Sequence, residues 1–226
     1  MNPKNEENVH IKLGDALGQK GDVDGEIAEY REALRLKPND DAAHYNLGNA
    51  LRDKGDGDGA IAEYHEALRS NPKNEDAHVN LGIALGGKGD WDGEIAEERE
   101  ALRLDPNDDV AHNSLGFALG RNGDWDGAIS EERQALRLNP NNDEAHQYLG
   151  VALAAKDDWE GTIYEERAAL RLNPNNDRAH FALGEALEVK SDRRGALEEV
   201  RAAYMLDPNN PIYKQNYERL LQQVNH

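Results

Sequence analysis

Apolar residues recur along the chain at helical spacing. Ala77, Leu81, Ala84 and Leu85 share one face of a helix, and Ile95, Ala101 and Leu102 one face of the next, read from about Trp91 to Leu104. Between them GGKGD at 86–90 suits the end of one helix and the cap of another. DPNDD, from Asp105, stops the second helix: proline restricts the residue before it, and Asn or Asp opens the next helix. This hairpin repeats. Pro38, Pro72, Pro106, Pro140, Pro174 and Pro208 stand 34 residues apart, as do Gly14, Gly48, Gly82, Gly116, Gly150 and Gly184. One helix pair cannot bury its own apolar face, so neighbours must stack.

The expected fold class is therefore all-α. A lead-in at 1–6 precedes six helix-turn-helix units, 7–40, 41–74, 75–108, 109–142, 143–176 and 177–210. The remainder, 211–226, reads as a C-terminal capping helix in which Tyr213, Tyr217, Leu220 and Leu221 cover the last unit. Glu218 occupies the place of the recurring glycine, so a further helix could not approach there.

The stretch GDWDGEIAEERE at 89–100 has the look of a calcium loop. Its recurrence as GDVDGEIAEYRE, GDGDGAIAEYHE and GDWDGAISEERQ favours a structural role. Asp90 and Asp92 read as turn and N-cap residues; a calcium loop needs a carboxylate where Lys88 stands, and Lys20 and Lys54 hold that place earlier.

The 34-residue unit, the Leu81–Gly82 pair, Ala101 and the closing Pro106 resemble the tetratricopeptide repeat (TPR) family. The resemblance implies a right-handed superhelical solenoid whose first helices line a concave groove, and a non-enzymatic protein-interaction scaffold.

One departure concerns the fourth place of each unit, where the family usually has a large aromatic and this chain has His10, His44, His78, His112, His146 and His180. Antiparallel packing predicts partners on the second helix: His78 with Glu98, His112 with Glu132, His146 with Glu166. These pairs read as local hydrogen bonds. A pH-responsive ladder is a second reading, because histidine titrates near neutrality. Zinc is a third, short of ligands, since one His and one Glu supply two where three or four are needed. Trp91, Trp125 and Trp159 read as packing on Leu85, Leu119 and Leu153. The recurring Arg35, Arg69, Arg103, Arg137 and Arg171 read as a solvated charge stripe.

Composition narrows the partners. Against 26 Lys and Arg stand 45 Asp and Glu, a net charge of −19. Such a surface repels nucleic acid and anionic membranes and suits apolar or basic protein surfaces. There is no cysteine, hence no disulfide or thiolate chemistry, and the polar start lacks the features of a signal peptide; the expected setting is cytoplasmic. Ser70, Ser114, Ser130 and Ser191 sit beside no fixed acid–base pair, so no catalytic residues, metal or cofactor are expected.

The resemblance implies that the second, fifth, ninth, twelfth and thirteenth places of each unit line the groove. Val79, Ile83, Val110, Asn113, Phe117, Gln147, Val151 and Phe181 are the expected peptide-binding residues, flanked by Asp15, Asp76, Glu144, Glu185 and Glu188. Leu and Ala already fill the core places, so this apolar strip suggests an interaction site for an apolar or amphipathic, basic-flanked segment. The lysines and arginines with which some TPR domains grip acidic tails are missing: Tyr45, Val110 and Ser114 stand in their places. An alternative is head-to-tail self-assembly into a homo-oligomer through the cap helix.

Overall fold

A computed structural model describes residues 3–224. These form thirteen helices: α1 (Pro3–Gly18), α2 (Val23–Leu36), α3 (Asp41–Asp53), α4 (Gly57–Ser70), α5 (Glu75–Gly87), α6 (Trp91–Leu104), α7 (Asp109–Arg121), α8 (Trp125–Leu138), α9 (Asp143–Ala155), α10 (Trp159–Leu172), α11 (Asp177–Val189), α12 (Arg193–Leu206) and α13 (Pro211–Val224). Helix α1 starts at Pro3, so the lead-in expected at 1–6 is helical from residue 3 onward; residues 1, 2, 225 and 226 lie outside the described residues. No helix among the described residues is long and apolar enough to cross a membrane.

The chain divides into two compact units, Met1–Pro106 and Asn107–His226. In the first, α1 to α6 pack as three successive pairs, and the pairing can be read from the glycines. A Cβ at Gly14 would strike Tyr30, and one at Gly18 would strike Glu26. Advancing one turn along α1 thus retreats one turn along α2, so the helices are antiparallel. Tyr30, Tyr64, Leu47, Leu51 and Leu81 form the buried cluster between the pairs. Lys54, at the end of α3, reaches Asp24 of α2 at 2.7 Å, and Lys88 reaches Asp58 at 2.7 Å, tying consecutive hairpins together.

The second unit repeats the arrangement with α7 to α12 and closes with α13. Leu183, Leu187, Val200 and Leu220 make its terminal core. Tyr213 and Leu220 are buried as expected of a capping helix, whereas Leu221 remains 37% exposed.

Local chemistry sets the boundaries. Asp22, Asp56, Asp90, Asp124, Asp158 and Asp192 each cap the N-terminus of a second helix, accepting a bond from a backbone N–H three residues on. Asp90 Oδ1 is 3.0 Å from the Gly93 N–H, the capping expected of it, while Asp92 lies in the first turn of α6. Gly21, Gly55, Gly89 and Gly123 precede four of these caps at positive φ, where a β-carbon is strained.

Candidate functional site

Two side-chain arrangements stand out from this frame. The first is the histidine ladder, and it differs from the expected one by a single residue. His78 Nδ1 lies 2.6 Å from Glu97, not Glu98; His112 pairs with Glu131 at 2.6 Å, not Glu132; His146 pairs with Glu165 at 2.6 Å, not Glu166. His10, His44 and His180 bond Glu29, Glu63 and Glu199 at the same 2.6 Å. The physical reason is helical rotation. Adjacent residues point about 100° apart, so when one glutamate of the pair faces a histidine on the flank, its successor points straight at the glycine. In His44, His78, His146 and His180 the other ring nitrogen, Nε2, lies 3.0 to 3.3 Å from a proline carbonyl. At His180 the doubly protonated ring donates to both acceptors. The Glu199 carboxylate accordingly raises the His180 pKa, against the opposing effect of burial.

Glu98, Glu132 and Glu166 are fully buried at the hairpin contacts. Their carboxyl groups lie against Gly82, Gly116 and Gly150, where Tyr64 covers Gly48 in an earlier hairpin. Both carboxyl oxygens of Glu132 and of Glu166 lack a hydrogen-bond partner. Burial, reinforced by neighbouring carboxylates, pushes Glu132 and Glu166 up to about 10 and about 9, so both are neutral acids at pH 7.

The second arrangement is a cavity of about 200 Å³ within the second unit, between α7, α8 and α9 with Arg178 of α11. Phe117 and Tyr148 form one wall, their ring centroids 4.8 Å apart at a 40° tilt. Trp125, Val151 and Gln147 form others, and Arg121 and Arg178 also line it. The structure thus brings Phe117, Gln147 and Val151 together. Val110 is 50% exposed but outside the cavity. Phe181 instead packs against Tyr213, with centroids 4.9 Å apart and the rings tilted by 35°. Val79 and Ile83 belong to the first unit; Ile83 is exposed there and lines a separate cavity with Arg52 and Lys88.

The fifth-place residues Val79, Asn113 and Gln147 are buried, which corrects their expected place as open groove surface. Gln147 still borders the cavity, whereas Asn113 Oδ1 is buried without a partner. Four large side chains on the cavity, Tyr148, Trp125, Arg121 and Arg178, are not among the peptide-binding residues expected from the sequence. Tyr148 sits beside a groove place, and the pattern around Trp125 points to packing on Leu119. Arg121 and Arg178 occupy thirteenth and second places of the repeat, so the rule that selects Val110 and Phe117 already contains them.

The fold defines a protein of stacked antiparallel helix pairs with a small aromatic cavity on one of its two units. Family profiles agree: one described as tetratricopeptide repeat matches residues 45–109, 114–176 and 166–211, and one described as TPR repeat matches 14–55. The chain belongs to the tetratricopeptide repeat family. No curated protein sequence matches it significantly. Among solved structures, MamA is similar at 26% identity over 72% of this chain and 95% of its own, with a TM-score of 0.65. YrrB, described as a TPR protein with an unusual peptide-binding site, aligns at 21% identity over 84% of this chain and 97% of its own, TM-score 0.68. Pseudomonas aeruginosa pilF aligns at 20% identity over 99% of this chain and all (100%) of its own, TM-score 0.81.

Proposed function

We propose that this chain is a non-enzymatic scaffold that holds an apolar or amphipathic segment of another protein, with basic residues flanking the segment. The cavity lined by Phe117, Tyr148 and Val151 carries the reading, because it leaves apolar surface open that stacking does not use. The TPR fold supports it, as members of the family bind protein or peptide partners. Acidic residues around the first helices, among them the exposed Asp76, Glu144 and Glu185, favour basic flanks by steering. The proposed organisation is six units from 7–40 to 177–210, ending in the cap at 211–226, in a cytoplasmic setting with no cofactor.

Selection from a random peptide display library tests this. The intact chain should enrich sequences with a large apolar residue and net positive charge, and Val151→Glu should lose that enrichment. Identical selections by the two proteins would sink the proposal.

A second reading is self-assembly, favoured by Ile212 and Leu221, which α13 leaves 55% and 37% exposed. Light scattering over a concentration series decides it: a mass rising with concentration and abolished by Ile212→Glu supports assembly, and a constant monomer mass excludes it.

A further inference from the structure

The cavity on the second unit has a polar signature that differs from the acidic surface around it. Gln147 is 7% exposed and borders the cavity, and its side-chain amide is held by no hydrogen bond among the described residues. Gln147 is not among the residues with fully buried, unpartnered polar atoms, so its amide opens to the cavity, and its free donor and acceptor suit a ligand that supplies both. A peptide backbone does. Arg178 also lines the cavity, is exposed, and forms no ion pair among the described residues. Arg121 is a second guanidinium on the lining, and no acidic side chain lies among the lining residues. On a chain with a net charge of −19 this is a local reversal of sign.

We propose that the cavity holds one large apolar side chain of a partner polypeptide and that the residue beside that anchor is an internal Asp or Glu. This deepens the reading of the site as a peptide-binding surface and rests on it. Size fits the anchor: a cavity of about 150 Å³ can hold a benzene ring, and this one is about 200 Å³. Aromatic walls of Phe117, Tyr148 and Trp125 suit an aromatic or long aliphatic group. Gln147 pairs with the backbone of the anchor residue, and the guanidinium of Arg178 takes the adjacent carboxylate. Basic residues farther along the partner meet the acidic surroundings, so the partner alternates in charge: acidic beside the anchor, basic beyond it.

Short synthetic peptides blocked at both ends test the chemistry, read by chemical-shift titration of the isotope-labelled full chain. The cores are Phe–Glu, Phe–Gln, Phe–Lys and Ser–Glu in a Gly–Ser context, with one further peptide ending in a free C-terminal Phe. Phe–Glu should bind about tenfold tighter than Phe–Lys, the gain of one charge-assisted contact, and should shift the Trp125 indole resonance. Ser–Glu should not bind. Arg178→Glu, at an exposed position, should invert the order of Phe–Glu and Phe–Lys while leaving the melting temperature unchanged. Equal binding of Phe–Glu and Phe–Lys overturns the acidic neighbour and leaves the apolar site standing. Binding of the free C-terminal peptide alone overturns the internal carboxylate as its source. If no peptide shifts the cavity resonances, this proposal fails; library enrichment lost on Val151→Glu would then still support the broader reading.

Discussion

The carboxyl group of Glu132 lies directly over Gly116. A Cβ built on that glycine would meet Glu132 Oε1 at 2.5 Å, and no part of the glutamate reaches solvent. Neither carboxyl oxygen has a hydrogen-bond partner, and the nearby charges, Glu131 and Glu144, are of the same sign. A glutamate therefore sits where an earlier hairpin has Tyr64, whose hydroxyl donates to Asn49 at 2.8 Å. Glu132→Leu removes the unmatched polar group at similar volume and should stabilise the fold by about 1–3 kcal/mol at pH 8. Urea denaturation checks it; a lower midpoint would refute the burial argument.

The same geometry fixes a pH dependence. Folding raises the pKa of Glu132 to about 10 and of Glu166 to about 9, from an ordinary 4.5. A raised folded value means the folded state holds protons that the unfolded chain has released. Their contribution is fully present below pH 4.5 and is lost as pH rises through 9 to 10. Stability should therefore fall across pH 5 to 9, with each group adding a slope of about 1.4 kcal/mol per pH unit at most. Glu132→Gln should flatten that slope. A wild-type stability that climbs over this range would contradict the assignment.

Helix positions were legible in the sequence because period, caps and breakers agree at every hairpin. Helix α6 runs from Trp91 to Leu104 as its pattern indicates. The side-chain register was harder, since it turns on one residue step around a helix. A clue was present all the same. The residue nineteen after each histidine is glutamate every time, at Glu29, Glu63, Glu97, Glu131, Glu165 and Glu199. The next place varies through Tyr30, Tyr64, Glu98, Glu132, Glu166 and Val200. A fixed partner suits a fixed histidine, and a variable residue suits a glycine that accepts many shapes. The cavity was half legible. Phe117 and Val151 announce themselves as apolar residues at groove places. Arg121 and Arg178 do not, because in a strongly acidic chain single arginines read as solvated charges.

His180 should titrate above the usual value for histidine. Its Nδ1 bonds Glu199 at 2.6 Å and its Nε2 lies 3.1 Å from the Pro174 carbonyl, so the ring donates twice; Asp177 adds a second favourable charge. The stabilisation is complete below about pH 6.5 and is lost as pH rises through the higher folded value. Glu199→Gln should lower the midpoint followed by NMR of the ring protons. A midpoint unmoved by that change would show that the carboxylate does not hold the proton.

The turns between first and second helices offer a stabilising change at two sites. Gly21, Gly55, Gly89 and Gly123 adopt φ of 78°, 86°, 83° and 88°, and Asp157 and Ser191 occupy the equivalent turns at 62° and 67°. There an L side chain brings its Cβ close to the backbone, a strain of about 1–2 kcal/mol. Glycine removes the strain but enlarges the conformational freedom of the unfolded chain, which offsets part of the gain. Neither backbone change touches the adjacent cap, because Asp158 and Asp192 still accept from the Gly161 and Gly195 N–H groups at 3.0 and 2.9 Å. Asp157→Gly and Ser191→Gly should each raise stability by about 0.5–1 kcal/mol. Gly89→Ala, the reverse change in an equivalent turn, should lower it by a similar amount. Thermal melts of the three variants give the answer together: glycine variants melting below wild type, or Gly89→Ala melting above it, would mean that chain entropy outweighs backbone strain in these turns.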